Sequence, residues 1–452
     1  MTTVLASPYF RDQFCTPAMR AVFADEARIG AWLQAEVALA RAQAGLGLIP
    51  PEAADEIARV ARVDALDLAA MKAEYDLSGV AIIPLVRHLG ALCSDEARRW
   101  VHWGATTQDI LDTGFTLQIR DALALMANDL DTAIRALAVL AARHRDTVMA
   151  GRSFQQQAVP ITFGYKSAVW LDELLRHRAR LPALRDRVLV GQLGGAVGTL
   201  ATLGDDGMAV RAAMMQSLGL GEALITWHTA RDRWAELVHW LAMVGATLGK
   251  IGTEIALLMR SEVAELREPL IKGRGGSSTM PQKRNPVACP QIIALARRLR
   301  DLPGGQLDAM VQEHERGTGA MPVEWAVVPD AFLLLSGAFC HALPLLQKLE
   351  VDATQMRANL DAGGGLLMSE AVMMGLAPHI GRGAAHERVT AAARKAQVTG
   401  GTLRKALLED AAITAHLTPE ALDHLLDPGN YTGSAGSMVD DVLELARAEG
   451  LA

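Results

Sequence analysis

The residues best suited to chemistry stand together in GRGGSSTMPQKRNP, residues 273–286. Ser277 and Ser278 offer hydroxyls, Lys283 and Arg284 fixed positive charge, and Asn285 a neutral amide. Gly273, Gly275 and Gly276 let the backbone move and approach a ligand closely, while Pro281 and Pro286 stiffen the far side. A segment mobile at one end and rigid at the other is expected to be a lid that carries acid–base chemistry. The plainer alternative is a Gly/Ser-rich surface loop with scattered charges.

Two further polar clusters interrupt an otherwise apolar pattern. HWGATTQDILDTG, residues 102–114, places Thr106, Thr107 and Gln108 at the start of a long helical stretch. Free N–H groups and the helix dipole favour an anion there, but Thr107 or Asp109 acting as a simple cap explains the same residues equally well. GRSFQQQAVP, residues 151–160, offers Arg152 and the amides of Gln155, Gln156 and Gln157 to a carboxylate. Taken by itself, that segment reads more simply as a solvated helix–helix connection.

Other polar runs exclude more than they suggest. QEHER (residues 312–316) has no second histidine at metal-ligand spacing, so no zinc site is expected. WHTARDR (residues 227–233) reads as a helix start. Neither a P-loop nor a dinucleotide fingerprint is present. His88, His239 and His379 are read as surface or packing residues.

The elements that must position these clusters are helices. Half of the 452 residues are hydrophobic but only 4% are aromatic, so the core is built from Ala, Leu, Val, Ile and Met. From Asp109 to His144 the apolar residues Ile119, Leu123, Met126, Leu130, Ile134, Leu137 and Ala141 fall at steps of three and four. Arg231 to Val263 repeats the pattern through Trp234, Leu237, Leu241, Val244, Leu248, Ile251, Ile255 and Leu258. At about 1.5 Å per residue such helices reach about 50 Å, which implies a bundle that continues across subunits of a homo-oligomer. Gly245, Gly249 and Gly252 are expected where helices approach closely. Further helical runs cover Val287–Met310 and Pro329–Leu349, and no strand alternation predicts a sheet of consequence. The expected organisation is an all-α chain of three domains: 1–108, a central long-helix bundle over 109–350, and 351–452.

A net charge of −7 argues against nucleic acid as a partner but not against an anionic substrate. Cys15, Cys93, Cys289 and Cys340 are widely spaced, as in a reduced cytoplasmic chain. The N-terminal residues lack a signal-peptide pattern, and the most apolar window, 331–346, is judged short of a membrane span, so no membrane partner is expected.

GSSTMPQKRNP (residues 276–286) resembles the signature of the fumarase/aspartase superfamily, and HWGATTQD and GRSFQQQA stand in the order and spacing of its other two signature regions. YFRDQFCTPAMRAVFADEARI, AIIPLVRHLGAL, QEHERG and LTPEALDHLLDPGNYTG make the likeness closest to the 3-carboxy-cis,cis-muconate cycloisomerases, over essentially the whole chain. The resemblance implies a homotetramer with a central helical bundle and each active site assembled from three subunits. It implies a small polycarboxylate substrate and neither cofactor nor metal. By the same resemblance Ser277 is the general base that removes a proton beside a carboxylate. Lys283 and Asn285 hold that carboxylate, with Ser278 and the backbone N–H near Met280 beside them. Thr106, Thr107 and Gln108 match a second binding region, and Arg152, Gln156 and Gln157 a third. Arg20 resembles an N-terminal arginine that reaches a substrate carboxylate, and His102 lines the site.

The departures from the pattern bear on substrate. Phe154 stands where related lyases carry a histidine acid, as in the cycloisomerases, but Gln157, Val80 and Ala81 replace residues typical of those enzymes. The implied activity is cycloisomerisation of 3-carboxy-cis,cis-muconate or a similarly substituted muconate. Its alternatives are a C–N lyase releasing fumarate from an N-substituted aspartate or aminopolycarboxylate and, remotely, a non-catalytic structural homologue.

Overall fold

The computed structural model describes residues 3–271, 273, 275–276, 279–280 and 283–452. The chain divides into two compact units. One comprises Met1–Asp129, His177–Leu248 and Ala294–Cys340, the other Leu130–Arg176, Gly249–Ile293 and His341–Ala452. The elements used below are α1 (Asp25–Gly45), α2 (Ile82–Ala91), α3 (Thr107–Arg143), β1 (Val148–Ser153), β2 (Gln156–Thr162) and α4 (Phe163–Val188). They continue with α5 (Asp232–Leu258), β3 (Leu266–Arg267), α6 (Ala288–Arg300), α7 (Ala320–Gln347), β4 (Glu350–Val351) and α8 (Ala353–Asp361). Helices α3 to α7 each contribute residues to both units.

The helical periodicity translates directly into burial. Every stripe residue of α3 from Ile119 to Ala141 is at most 1% exposed, and every one of α5 from Trp234 to Leu258 at most 3%. Each large side chain so buried contributes about 1.5–3 kcal/mol of hydrophobic stabilisation, which outweighs modest helix propensity. The glycines of α5 act as expected at two positions. A Cβ on Gly245 would lie 2.5 Å from Leu299, and one on Gly252 would lie 3.2 Å from Ile292, so α6 packs against backbone there.

Three expectations are corrected. The run from Val287 splits into α6 and a short helix Leu302–Asp308, because Pro303 cannot continue the hydrogen-bond ladder. Residues 151–160 are no helix–helix connection; they belong to an antiparallel hairpin with Ser153 opposite Gln156 and Arg152 opposite Gln157. A second two-stranded sheet pairs Leu266–Arg267 with Glu350–Val351. Finally, α5 and α7 are both long and apolar enough to cross a membrane, contrary to the reading of 331–346. Two-thirds of the apolar window of α7 is buried within the protein (67%), which accounts for its composition as core.

The N-terminal segment is seated on α7. Ser336 Oγ accepts the Thr16 N–H at 3.1 Å, and a Cβ on Gly337 would stand 2.2 Å from the Phe14 carbonyl oxygen. Backbone cannot move aside as a side chain can. Gly337→Ala should therefore cost about 1–3 kcal/mol and lower Tm by several degrees in a thermal melt. Gly383→Ala, with nothing within 4 Å, should leave Tm unchanged or raise it.

Candidate active site

In the first unit, the start of α3 is organised by one carboxylate. Asp109 is fully buried and accepts four donors: Thr106 N at 2.9 Å, Gly194 N and Gly195 N at 2.9 Å each, and His228 Nε2 at 2.8 Å. Its bond to Thr106 is the returning half of a capping box. The others draw the glycine-rich loop 191–198 and the WHTARDR segment to the same helix end.

Gln108 is 2% exposed and its amide is fully used within the chain. It donates to the His228 carbonyl at 2.8 Å and to Asp112 at 3.2 Å, and accepts from Arg316 Nε at 2.9 Å. Arg316, from the QEHER run, also donates to the Ala196 carbonyl. Thr106 and Thr107 are only half-buried. Of the three residues, Gln108 holds the framework while the threonines remain open to a ligand.

Beneath this end lies an ionic cluster that sequence reasoning missed. Arg231 is fully buried between Asp112 (2.8 and 3.0 Å) and Glu324 (2.6 Å), and its guanidinium stacks 4.1 Å from the Trp234 ring centroid. Gln306 donates to Glu324 at 3.1 Å. Burial pushes the Glu324 carboxyl above its usual range, with the hydrogen bonds from Arg231 pulling the other way. Charged partners hold the Arg231 guanidinium protonated against the cost of burial.

His102 lies on the same approach. Its backbone is left-handed at φ 60, and its Nδ1 is 2.6 Å from Glu36 Oε1. Arg20 is tied within its own segment, donating to Asp12 at 2.6 Å and to the Cys15 carbonyl at 3.0 Å.

In the second unit, Arg152 projects from β1 and is gripped by Glu265, Nη2 at 2.6 Å and Nη1 at 2.9 Å. Glu265 is 0% exposed, and Asn359 of α8 also donates to it at 2.7 Å. Gln157 donates to the Asn359 carbonyl at 3.3 Å, whereas Gln156 is exposed at the hairpin end. Both residues of the two-residue turn have positive φ, Phe154 at 51° and Gln155 at 63°. Hairpin twist favours that geometry, but Gly or Asn normally supplies it. Phe154 is 98% exposed at the tip.

The loop 273–286 is described only in part: Arg274, Ser277, Ser278, Pro281 and Gln282 lie outside the described residues, so the general-base assignment falls there too. Gly276 and Arg284 form an antiparallel bridge, and Asn285 N donates to the Gly275 carbonyl at 2.9 Å. Gly275 has φ 76, and a Cβ there would meet Asn285 O at 2.8 Å. Lys283 and Met280 are exposed, and Lys283 N donates to the Met280 carbonyl.

Glu268 caps α6 by accepting from Val287, Ala288 and Cys289 N at 2.9–3.0 Å. Burial raises its carboxyl, and the three N–H bonds overcome that to hold it below the usual range. Arg284 reaches the Glu268 carbonyl and the Glu350 carboxylate. Among the described residues, no group of three or more His, Cys, Asp or Glu side chains is placed to hold a metal ion.

Removing the buried guanidinium tests the scaffold. Arg231→Met should cost about 3–5 kcal/mol at pH 7.5 in urea unfolding, because two carboxylates are left without a counter-ion. The loss should shrink as pH falls, because the Glu324 carboxyl, which burial already pushes above its usual range, then takes up a proton.

Comparison with known proteins places this geometry. A family model described as a lyase matches residues 11–300, and one for the adenylosuccinate lyase C-terminus matches residues 365–442. The 3-carboxy-cis,cis-muconate cycloisomerase of Pseudomonas aeruginosa is 45% identical, covering 98% of this chain and 97% of that protein. Trans-aconitate decarboxylase 1 of Mycosarcoma maydis is 43% identical, over 96% of this chain and 88% of that protein. The crystal structure of the 3-carboxy-cis,cis-muconate lactonizing enzyme from Pseudomonas putida superposes with a TM-score of 0.91 at 41% identity, covering 96% of this chain and 98% of that one. With sequence and fold shared along nearly its whole length, the chain belongs to the fumarase/aspartase superfamily, as an enzyme like the 3-carboxy-cis,cis-muconate cycloisomerases.

Proposed function

We propose that this protein is a cofactor-free cycloisomerase of 3-carboxy-cis,cis-muconate or a similarly substituted muconate. It works in the cytoplasm as a homotetramer whose active sites are shared between subunits. In the forward direction a carboxylate oxygen adds to the β carbon of a conjugated double bond. The displaced electron pair moves onto the carboxylate at the α end as a dianionic aci-carboxylate, and the Ser277 hydroxyl then delivers a proton to the α carbon. In reverse, Ser277 removes that proton and the ring C–O bond breaks. Lys283, Asn285 and the N–H near Met280 stabilise the dianion, Thr106 and Thr107 hold a second carboxylate, and Gln156 and Gln157 of the hairpin contribute from the third region. Atoms and charge balance without oxidant, reductant or carrier.

The observation that carries this choice is Phe154 at the exposed hairpin tip. A departing amine, with a conjugate-acid pKa near 10, needs a proton donor, whereas a departing carboxylate, near 4, does not. An aromatic side chain in place of a histidine acid therefore fits lactone chemistry better than C–N cleavage. Arg152 and Gln108, with side chains bonded within the chain, serve as supports for their neighbours.

Purified protein given 3-carboxy-cis,cis-muconate should consume the diene, followed by ultraviolet absorbance, and Ser277→Ala should lower kcat by at least about 10²-fold. Inactivity on muconates together with fumarate release from an aspartate adduct would overturn the substrate assignment. Undiminished turnover by Ser277→Ala would overturn the base.

A further inference from the structure

Glu36 sits mid-way along α1, only 2% exposed, in a stretch otherwise packed with alanine and leucine. A carboxylate there is costly unless it is paired, and its recorded partner is His102 Nδ1 at 2.6 Å. An ionised carboxylate only accepts, so Nδ1 carries the hydrogen. The remaining ring nitrogen, Nε2, has no protein partner among the described residues.

His102 and Thr107 line a cavity of about 350 Å³. Its other walls are Ile82, Ile83 and Val86 of α2, together with the side chains of Arg87 and Arg98. Arg87 is paired with Glu74 at 3.1 Å, whereas Arg98 forms no ion pair among the described residues. Thr107 opens a helix of 37 residues, whose positive end faces the same region. The lining thus combines aliphatic side chains with an imidazole, a guanidinium that has no ion pair among the described residues, and a helix N-terminus.

We propose that Glu36 is a positioning residue that keeps His102 as an imidazolium with its Nε2–H available to one carboxylate of the substrate, which is bound between Thr107 and Arg98. The proposal deepens the polycarboxylate reading and rests on it. The substrate class follows from the walls: one carboxylate against the cationic side and an unsaturated or aliphatic carbon skeleton against Ile82, Ile83 and Val86. The charged groups around His102 are Glu36 from α1, Asp109 from α3 and the two arginines that line the same cavity. Burial lowers the affinity of His102 for its proton, but the Glu36 charge and hydrogen bond, with Asp109 adding, raise it overall. The attraction for an anion is therefore complete at low pH and fades as pH rises through this raised value.

Tricarballylate (propane-1,2,3-tricarboxylate) is a suitable probe because it cannot react. Calorimetric titrations from pH 6 to 9 should show wild-type binding weakening with a midpoint above that of free histidine. Glu36→Gln, nearly isosteric but neutral, should move the midpoint to lower pH, because the charge and hydrogen bond that raise it are lost. Its affinity at pH 7.5 should then be several-fold weaker and should recover as the pH is lowered. Glu36→Asp, which keeps the charge, should retain the midpoint, and the ring-nitrogen NMR titration of His102 should follow the same order. A midpoint left in place by Glu36→Gln, with wild-type binding intact, would refute the role of Glu36 alone. Failure of the wild type to bind tricarballylate at any pH would count against the polycarboxylate site itself.

Discussion

The Asp109 carboxylate is the constraint on which the first half of the site depends. Fully buried, it is held by N–H donors from three separate stretches of chain, the His228 ring among them. Each donor comes from a segment with no regular structure of its own, and each would be costly to leave unpaired. One anion thus does what a sheet ladder does elsewhere: it fixes the register of the Thr106 turn, the 191–198 loop and the start of α5. Gln108 and the Arg231 cluster repeat the device one turn further along. The polar interior is for this reason rigid where the threonines face outward.

The second unit uses the same logic with acids and arginines exchanged. Glu265 fixes Arg152 one pair behind the hairpin tip, while Glu268 fixes the first turn of α6, and with it the exit of the 273–286 loop. The loop stem closes on itself through Gly276 and Arg284.

The legibility of these features in the sequence follows from their physics. The stripes of α3 and α5 repeat every three or four residues, so burial could be assigned from spacing alone. The polar loop 273–286 stands out in the sequence because glycine, serine, lysine, asparagine and proline rarely concentrate so densely. The hairpin was not legible: its turn uses Phe154 and Gln155 at positive φ where a glycine or asparagine would have announced it. Nor were Glu36, Asp112, Glu265 and Glu324. An acidic residue carries no local sign of whether it faces water or a basic partner more than sixty positions away in the chain. Only the fold reveals the pairing. Relatives at nearly equal identity, a cycloisomerase at 45% and a decarboxylase at 43%, carry different activities on this scaffold.

The hairpin tip stands apart from this packing. Phe154 and Gln155 project beyond the last paired residues, Ser153 and Gln156, and are exposed within their own chain. Exchanging them alters neither core volume nor the Arg152–Glu265 salt bridge just behind them. Side chains at this point can therefore change with almost no penalty in folding, while the helices that flank the hairpin stay under strict packing control.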